Sequence, residues 1–333
     1  MCKRTEKCFY TILIITLIIL AVLVPIMVIQ IGRSISSKHT YLSPYNETED
    51  SESEDAANEK YYTPSELSKF LKQFANQRSF LFTTNEIGRS KKGHPIDEVV
   101  LKQLGSKEPI VLTVSGLLAS DWLSIFTTIE LMNKFFADVR QTNHLLKKYC
   151  FHFLPLLDPD GYEFSQSLPI YSNWNKSFEQ FKDNEPSGDD ILNGFGSDTA
   201  DNKVIKTFKN YFSKNKNNIK AVFFLFSPQE VNFTSGFFTV SHEPGNDTAD
   251  ESRLDSLGVN IDKERDSFFK YLDLDEIPPN RIDAYVLKEK PKIAVVNFMT
   301  NFRPTSPELL EPKSKKLANE IHFIMVKAVK AMQ

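Results

Sequence analysis

The chain has 333 residues, which is enough for one large domain or two small ones with a sizeable buried core. Its composition is ordinary for a globular protein, except that phenylalanine is unusually common, with 27 residues. The formal net charge of −3 gives no support for nucleic-acid binding, and the lysine clusters at 214–220 and 313–316 are typical of solvated surfaces.

Residues 9–31 form an apolar run of 23 residues that is long enough to cross a hydrocarbon core as a helix. The bulky residues at 28–31 make a poor cleavage site, so the run predicts an uncleaved signal anchor and not a cleaved signal peptide. Because only residues 1–8 precede it, we expect these in the cytosol and the rest of the chain outside the cell or in a lumen. This is the arrangement of a single-pass type II membrane protein.

The chain has three cysteines. Cys2 and Cys8 would lie beside the membrane in the cytosol, where they either carry palmitoyl groups or remain unmodified thiols. Cys150 has no cysteine partner in the folded part, and its apolar neighbours predict a buried free thiol.

Residues 32–59 are predicted to be a disordered stalk. Between Glu47 and Glu59 there are seven carboxylates and no basic residue, so this stretch cannot bury enough surface to fold and its like charges extend it. Four sequons occur, close to the number expected by chance; they are candidate glycosylation sites at Asn46, Asn175, Asn232 and Asn246.

Signals for a folded domain, residues 60–333, begin with a capping box from Thr63 to Glu66 that starts an amphipathic helix. In chain order the pattern then predicts a strand at 110–114, a helix from 122 to 136, a strand at 151–157, a turn at 158–161, a helix over 204–212, a strand at 221–226, strands at 285–287 and 293–298, and a closing helix over 317–328. Alternating strands and helices, with strands apolar on both faces, indicate an α/β sheet covered by helices on both sides.

Five segments resemble, in order, the catalytic domain of the zinc carboxypeptidases of the A/B type. They are Tyr61-x-Thr63-x-x-Glu66-Leu67, the hairpin motif Ile87-Gly-Arg-Ser90 with Gly93-His-Pro-Ile96, Gly116-Leu-Leu-Ala-Ser-Asp-Trp122 in place of G-x-H-A-R-E-W, Leu154-Pro-Leu-Leu-Asp-Pro-Asp-Gly-Tyr162 in place of L-P-x-x-N-P-D-G-Y, and Pro307-Glu-Leu-Leu-Glu-Pro312. The resemblance implies a mixed, mainly parallel eight-stranded sheet with helices on both faces, here preceded by one transmembrane helix.

That resemblance also places the family's metal site. A His and a Glu three positions later bind zinc there together with a second His from a distant strand end, and these positions are Leu118, Asp121 and Phe226 in this sequence. The family's catalytic Glu corresponds to Met299 in Val296-Asn-Phe-Met299. One carboxylate cannot hold zinc and Met299 cannot accept a proton, so the resemblance implies lost hydrolysis and no cofactor.

The family's clamp for the substrate carboxylate is altered as well. Asn175 and Lys176 occupy its Asn-Arg pair, and Lys offers a point charge in place of a bidentate fork. A glycan on Asn175 would fill that pocket. The six histidines fit surface or satisfied positions, and no alternative catalytic motif is present.

These observations favour a membrane-anchored, catalytically inactive zinc-carboxypeptidase-like protein, a pseudoenzyme that binds a peptide or protein partner. In it Leu118, Phe226 and Met299 are expected to pack together as apolar fill. The alternative is an active metallocarboxypeptidase that uses zinc to remove C-terminal residues from peptides. A third interpretation is that the folded domain is a passive spacer on a stalk, and the sequence does not distinguish it from a binding domain.

Overall fold

The computed structural model describes residues 62–103, 109–168, 176–178, 180–182, 185–196, 202–226, 236–241, 256, 258, 260, 269–272, 278–300 and 307–332. The predicted cytosolic tail with Cys2 and Cys8, the membrane span at 9–31, the stalk at 32–59 and all four sequon asparagines lie outside these residues. Within them, no helix combines the length and the apolar character needed to cross a membrane.

The main sheet has eight strands in the part of the chain that is described. They run in the spatial order β1-β2-β4-β3-β7-β10-β8-β9, with the bounds β1 Phe82–Arg89, β2 Pro95–Leu101, β3 Ile110–Val114, β4 Cys150–Leu154, β7 Ile219–Phe226, β8 Gly236–Ser241, β9 Phe269–Tyr271 and β10 Ala294–Met299. A separate hairpin joins β5 Gln180–Lys182 and β6 Glu185–Ser187. The pairs β3–β4, β3–β7, β7–β10 and β8–β9 are parallel, whereas β1–β2, β2–β4 and β8–β10 are antiparallel. The prediction of a mixed, mainly parallel sheet is confirmed.

Seven α-helices are described: α1 Pro64–Asn76, α2 Trp122–Ala137, α3 Val139–Leu146, α4 Pro159–Gln166, α5 Lys203–Asn215, α6 Ile282–Glu289 and α7 Pro307–Ala331, with one 3₁₀ turn at Gly194–Gly196. All five residues of β3 are buried. Because successive strand residues point to opposite faces, both faces of the sheet are covered at its centre. Helices α2 and α7 pack along one another.

The capping box predicted at the start of α1 is present in full. The Thr63 hydroxyl accepts a hydrogen bond from the Glu66 backbone amide at 3.2 Å, and the Glu66 carboxylate accepts one from the Thr63 amide at 2.7 Å. The helix then buries Leu67, Phe70 and the other apolar residues of one face. Local sequence therefore determines this helix.

The prediction for Cys150 is confirmed as well: it is a buried cysteine without a disulfide.

Two local predictions are wrong. The segment 285–287 lies inside helix α6, because Ile282 and Val286 are one helical turn apart and both are buried. The segment 158–161 begins helix α4, where Asp158 caps the helix and Pro159 is its first residue. At 158–161 the pattern is ambiguous because Asp-Pro is typical of a helix start as well as of a turn. At 285–287 it is ambiguous because three apolar residues fit the repeat of a strand as well as that of a helix. Strand β4 also ends earlier than predicted, at Leu154.

Candidate functional site

Two of the metal positions implied by the family resemblance, together with its base position, lie at one edge of the sheet. Strands β3, β7 and β10 are neighbours and run parallel, so their carboxyl ends lie at the same edge. Leu118 follows the end of β3, Phe226 ends β7, and Met299 ends β10 directly opposite Phe226. Binding sites in sheets of this kind lie at such an edge. The resemblance and the topology therefore identify the same place.

The segment that carries the first two positions is a turn that leads into α2. It starts at Gly116, whose φ of +61° suits glycine, and an added Cβ there would lie 2.9 Å from the Leu156 Cα. The Asp121 amide donates to the Leu118 carbonyl at 3.1 Å and closes the turn. The Asp121 carboxylate then caps α2 by accepting a hydrogen bond from the Ser124 amide at 3.3 Å. Asp121 thus has a structural task of its own.

The family positions other than that of Asp121 are filled by the apolar side chains of Leu118, Phe226 and Met299. Leu118 is buried with 6% exposure and Phe226 with 2%, and both belong to one hydrophobic cluster against which the half-buried Met299 packs. The Thr300 amide donates to the Phe226 carbonyl at 3.0 Å and fixes the ends of β7 and β10 together. The expectation that these three side chains form apolar fill matches this cluster.

Zinc does not fit the side chains found at these positions. The side chains of Leu118 and Phe226 have no atom that can bind zinc, and Asp121 is the only one of the three residues whose side chain can. Elsewhere in the described ranges, no group of three His, Cys, Asp or Glu side chains is arranged to hold a metal ion. Hydrolysis through a zinc-activated water is accordingly not assigned to these residues.

The clamp remnant is partly described. Asn175 lies outside the described residues, whereas Lys176 is exposed. The next residue is tied into the protein, because the Ser177 amide donates to the Asp189 carbonyl at 2.8 Å and its hydroxyl donates to Asp158 Oδ1 at 2.9 Å. Lys176 therefore stands at the surface beside a fixed, buried segment.

Asp158 is a buried acid beside the candidate site. It is 1% exposed, and its Oδ1 accepts hydrogen bonds from the Gly161 amide and the Ser177 hydroxyl. Its Oδ2 is buried and has no hydrogen-bond partner among the described atoms. Burial raises the pKa of Asp158 to about 7, against the effect of the two hydrogen bonds and with a further contribution from the negative charges of Asp160 and Asp189. The family motif has Asn at this position.

A cavity of about 350 Å³ has Ser177 as part of its lining. We call it the lysine pocket; it is lined by Lys91, Asp160, Ser177, Phe178, Asn202, Lys203, Val204 and Lys206. Most of the lining comes from the turn after β1, the segment at 176–178 and the first turn of α5. These residues are separated by up to about a third of the chain, and no sequence motif linked them.

A second feature that the sequence did not indicate is a buried polar network between β2, β4 and α5. Glu98 Oε1 is 2.6 Å from His152 Nδ1 and accepts a hydrogen bond from the Tyr211 hydroxyl at 2.6 Å. Although burial acts to raise it, these bonds and one from Asn85 hold the pKa of Glu98 below its ordinary value. The network satisfies His152 inside the fold, which agrees with the interpretation of this histidine as structural.

Comparison with known proteins supports the same family. Residues 67–239, just over half of the chain, match the family model described as zinc carboxypeptidase. Carboxypeptidase B of Astacus astacus is 24% identical over 105 residues, which are 32% of this chain and 35% of that protein. A metallocarboxypeptidase A-like protein of Trichophyton verrucosum (strain HKI 0517) is 26% identical over 155 residues, which are 45% of this chain and 36% of that protein. The matches thus span about a third of the length of these curated relatives.

Solved structures agree on the fold. Carboxypeptidase A from Helicoverpa armigera superposes with a TM-score of 0.65 at 16% identity, covering 82% of this chain and 74% of that one. At this identity the likeness concerns the fold alone. Together with the match over residues 67–239, it leads to one conclusion: the chain belongs to the zinc carboxypeptidase family.

Proposed function

We propose that this chain is a catalytically inactive member of its family that binds a peptide or protein partner at the carboxyl edge of its sheet. It is anchored in a membrane by residues 9–31, with residues 1–8 in the cytosol and the folded domain outside the cell or in a lumen. The sequence of the apolar run and the acidic stalk supports the anchor. The side chains at the family's metal and base positions support the loss of catalysis.

The observation that carries the proposal is the single hydrophobic cluster that contains Leu118 and Phe226, with Met299 packed against it. Catalysis by this family requires three metal ligands, an open position for water and a base. Here two ligand positions and the base position carry no group that serves as a zinc ligand of this family or accepts a proton. Burying Leu118 and Phe226 stabilises the fold by about 2 kcal/mol for each side chain. The old site therefore contributes to stability.

The first experiment is metal stoichiometry on the full chain after incubation with zinc and desalting. We expect fewer than about 0.1 zinc ions per chain and no release of C-terminal residues from apolar or basic test peptides. An active carboxypeptidase, treated in parallel, controls for the loading and the assay.

A matched variant tests the positions themselves. The triple substitution L118H/D121E/F226H restores the family's ligand types, and a gain of zinc binding in this variant would show that the three positions surround one point. A zinc content near one per chain in the unmodified protein, with peptidase activity, would refute the proposal and establish the active metallocarboxypeptidase instead.

A further inference from the structure

The lysine pocket is a concave site of a size that suits a small ligand group, and it lies outside the family's metal positions. Three lysines line it, Lys91 from the turn after β1 and Lys203 and Lys206 from the first turn of α5, and all three are exposed. Lys176 stands next to Ser177 at the surface. The pocket thus gathers positive charge from separate parts of the chain.

Asp160, which is part of the lining, and Asp189 beside it both accept hydrogen bonds from protein donors. Asp160, which is 1% exposed, accepts hydrogen bonds from the Ser90 hydroxyl at 2.5 Å and from the Lys92 amide at 3.0 Å. Asp189 accepts one from the Asn202 side-chain amide at 3.0 Å. The two carboxylates offset part of the positive charge of the three lysines, but not all of it.

The start of α5 contributes its side chains to the pocket. Its first amides are capped internally, since Asn202 Oδ1 accepts hydrogen bonds from the Val204 amide at 2.8 Å and the Ile205 amide at 3.3 Å. These two amides are therefore already bonded within the protein. The lysine ammonium groups are the part of the lining that would attract an anion.

One wall of the pocket is apolar and held in place. The Phe178 ring stacks on Phe164 with centroids 4.0 Å apart and planes 9° apart, and Lys92 Nζ lies 5.0 Å from the Phe178 centroid. Val204, which is 2% exposed, lines the same cavity. A ligand that combines an acidic group with an apolar neighbour would match both parts of the lining.

We propose that the lysine pocket binds an acidic segment of a peptide or protein partner, with Asp or Glu side-chain carboxylates at Lys91, Lys203 and Lys206 and an apolar residue against Phe178 and Val204. The net charge of −3 does not favour a nucleic acid, which selects strongly basic surfaces. This inference deepens the proposed binding function and rests on it.

The test is fluorescence anisotropy with a labelled peptide of about twelve residues that contains glutamates around one phenylalanine and has an amidated C-terminus. The host is the full chain in which the seven carboxylates between Glu47 and Glu59 are replaced by amides, so that they do not compete. The glutamine version of the peptide should bind at least about tenfold more weakly, and affinity should fall as salt rises from about 0.05 to 0.3 M.

Charge-reversal variants locate the site. K203E/K206E should weaken binding by about tenfold or more, because two ion pairs are replaced by repulsion. Lys214→Glu makes the same type of change at the other end of α5 and should alter affinity by less than about twofold. Far-ultraviolet circular dichroism and the urea midpoint confirm that each variant is folded.

Three outcomes overturn the inference: no detectable binding of the glutamate peptide, equal losses in K203E/K206E and Lys214→Glu, or binding that requires a free C-terminal carboxylate. The second and third leave a peptide-binding protein with a different site, so the proposed function survives them. Zinc-dependent cleavage of peptides would instead refute the proposed function.

Discussion

Replacing Asp158 by Asn should remove a strong pH dependence from the stability of the fold. In the folded protein burial raises the pKa of Asp158 to about 7, whereas an unfolded chain gives about 4. Between these values the folded state holds one more proton than the unfolded state. The free energy of unfolding therefore falls as pH rises from about 4 to 7, by about 1.4 kcal/mol for each pH unit and about 4 kcal/mol in all.

Asn keeps the oxygen that accepts from Gly161 and Ser177 and removes the charge. Its amide nitrogen would stand where Oδ2 has no partner, at a cost of about 1 to 3 kcal/mol that does not depend on pH. The difference in unfolding free energy between Asp158→Asn and the unmodified chain should thus move in favour of the variant by about 4 kcal/mol from pH 4 to pH 8.

The measurement is urea unfolding, followed by circular dichroism, at several pH values between about 4 and 8. Comparing variant with unmodified protein at each pH cancels the other titrating groups. Asp190→Asn, at a partly exposed position, controls for the change in net charge and should not reproduce the effect of Asp158→Asn. Parallel curves for Asp158→Asn and the unmodified chain would refute the assignment of a buried, protonated carboxyl.

Three further predictions concern stability. Phe226→Ala should lower the unfolding free energy by about 3 to 5 kcal/mol, since the ring is buried in the hydrophobic cluster, and a loss below about 1 kcal/mol would contradict that packing. Burial lowers the pKa of His322 to about 4, so the free energy of unfolding should fall by about 3 kcal/mol as pH drops from about 6.5 to 4. His322→Gln should abolish this loss, whereas His144→Gln, at an exposed position, should not. Urea midpoints measured across this pH range test both expectations. Thr63→Ala should cost about 1 kcal/mol in the same assay by removing the α1 cap, whereas an unchanged midpoint would mean that the capping box does not stabilise the fold.

Several elements could be predicted because their signals are local. The capping box at Thr63 fixes the start of α1, and β-rich runs gave β3, β7 and β10. The prediction of a strand at 285–287 was wrong because three apolar residues suit either a strand or a helix. Burial of Ile282 and Val286 on one helical face stabilises helix α6 instead.

Sequence alone determined the chemistry available at the family's metal and base positions. Whether a side chain can bind zinc or accept a proton depends on its own atoms, so Leu118, Phe226 and Met299 are informative without coordinates. Tertiary structure decided what those residues do instead, which is to share one hydrophobic cluster at the ends of neighbouring strands.

Tertiary structure alone also decided the environment of the charged groups. In the sequence, Asp158 cannot be distinguished from any other acid in a turn. Its pKa is raised by burial and by the charges of Asp160 and Asp189, against the effect of the hydrogen bond from Ser177. The lysine pocket likewise depends on the packing of segments far apart in the chain. Desolvation and Coulomb energies depend on distances through space, and the order of residues along a chain does not specify those distances.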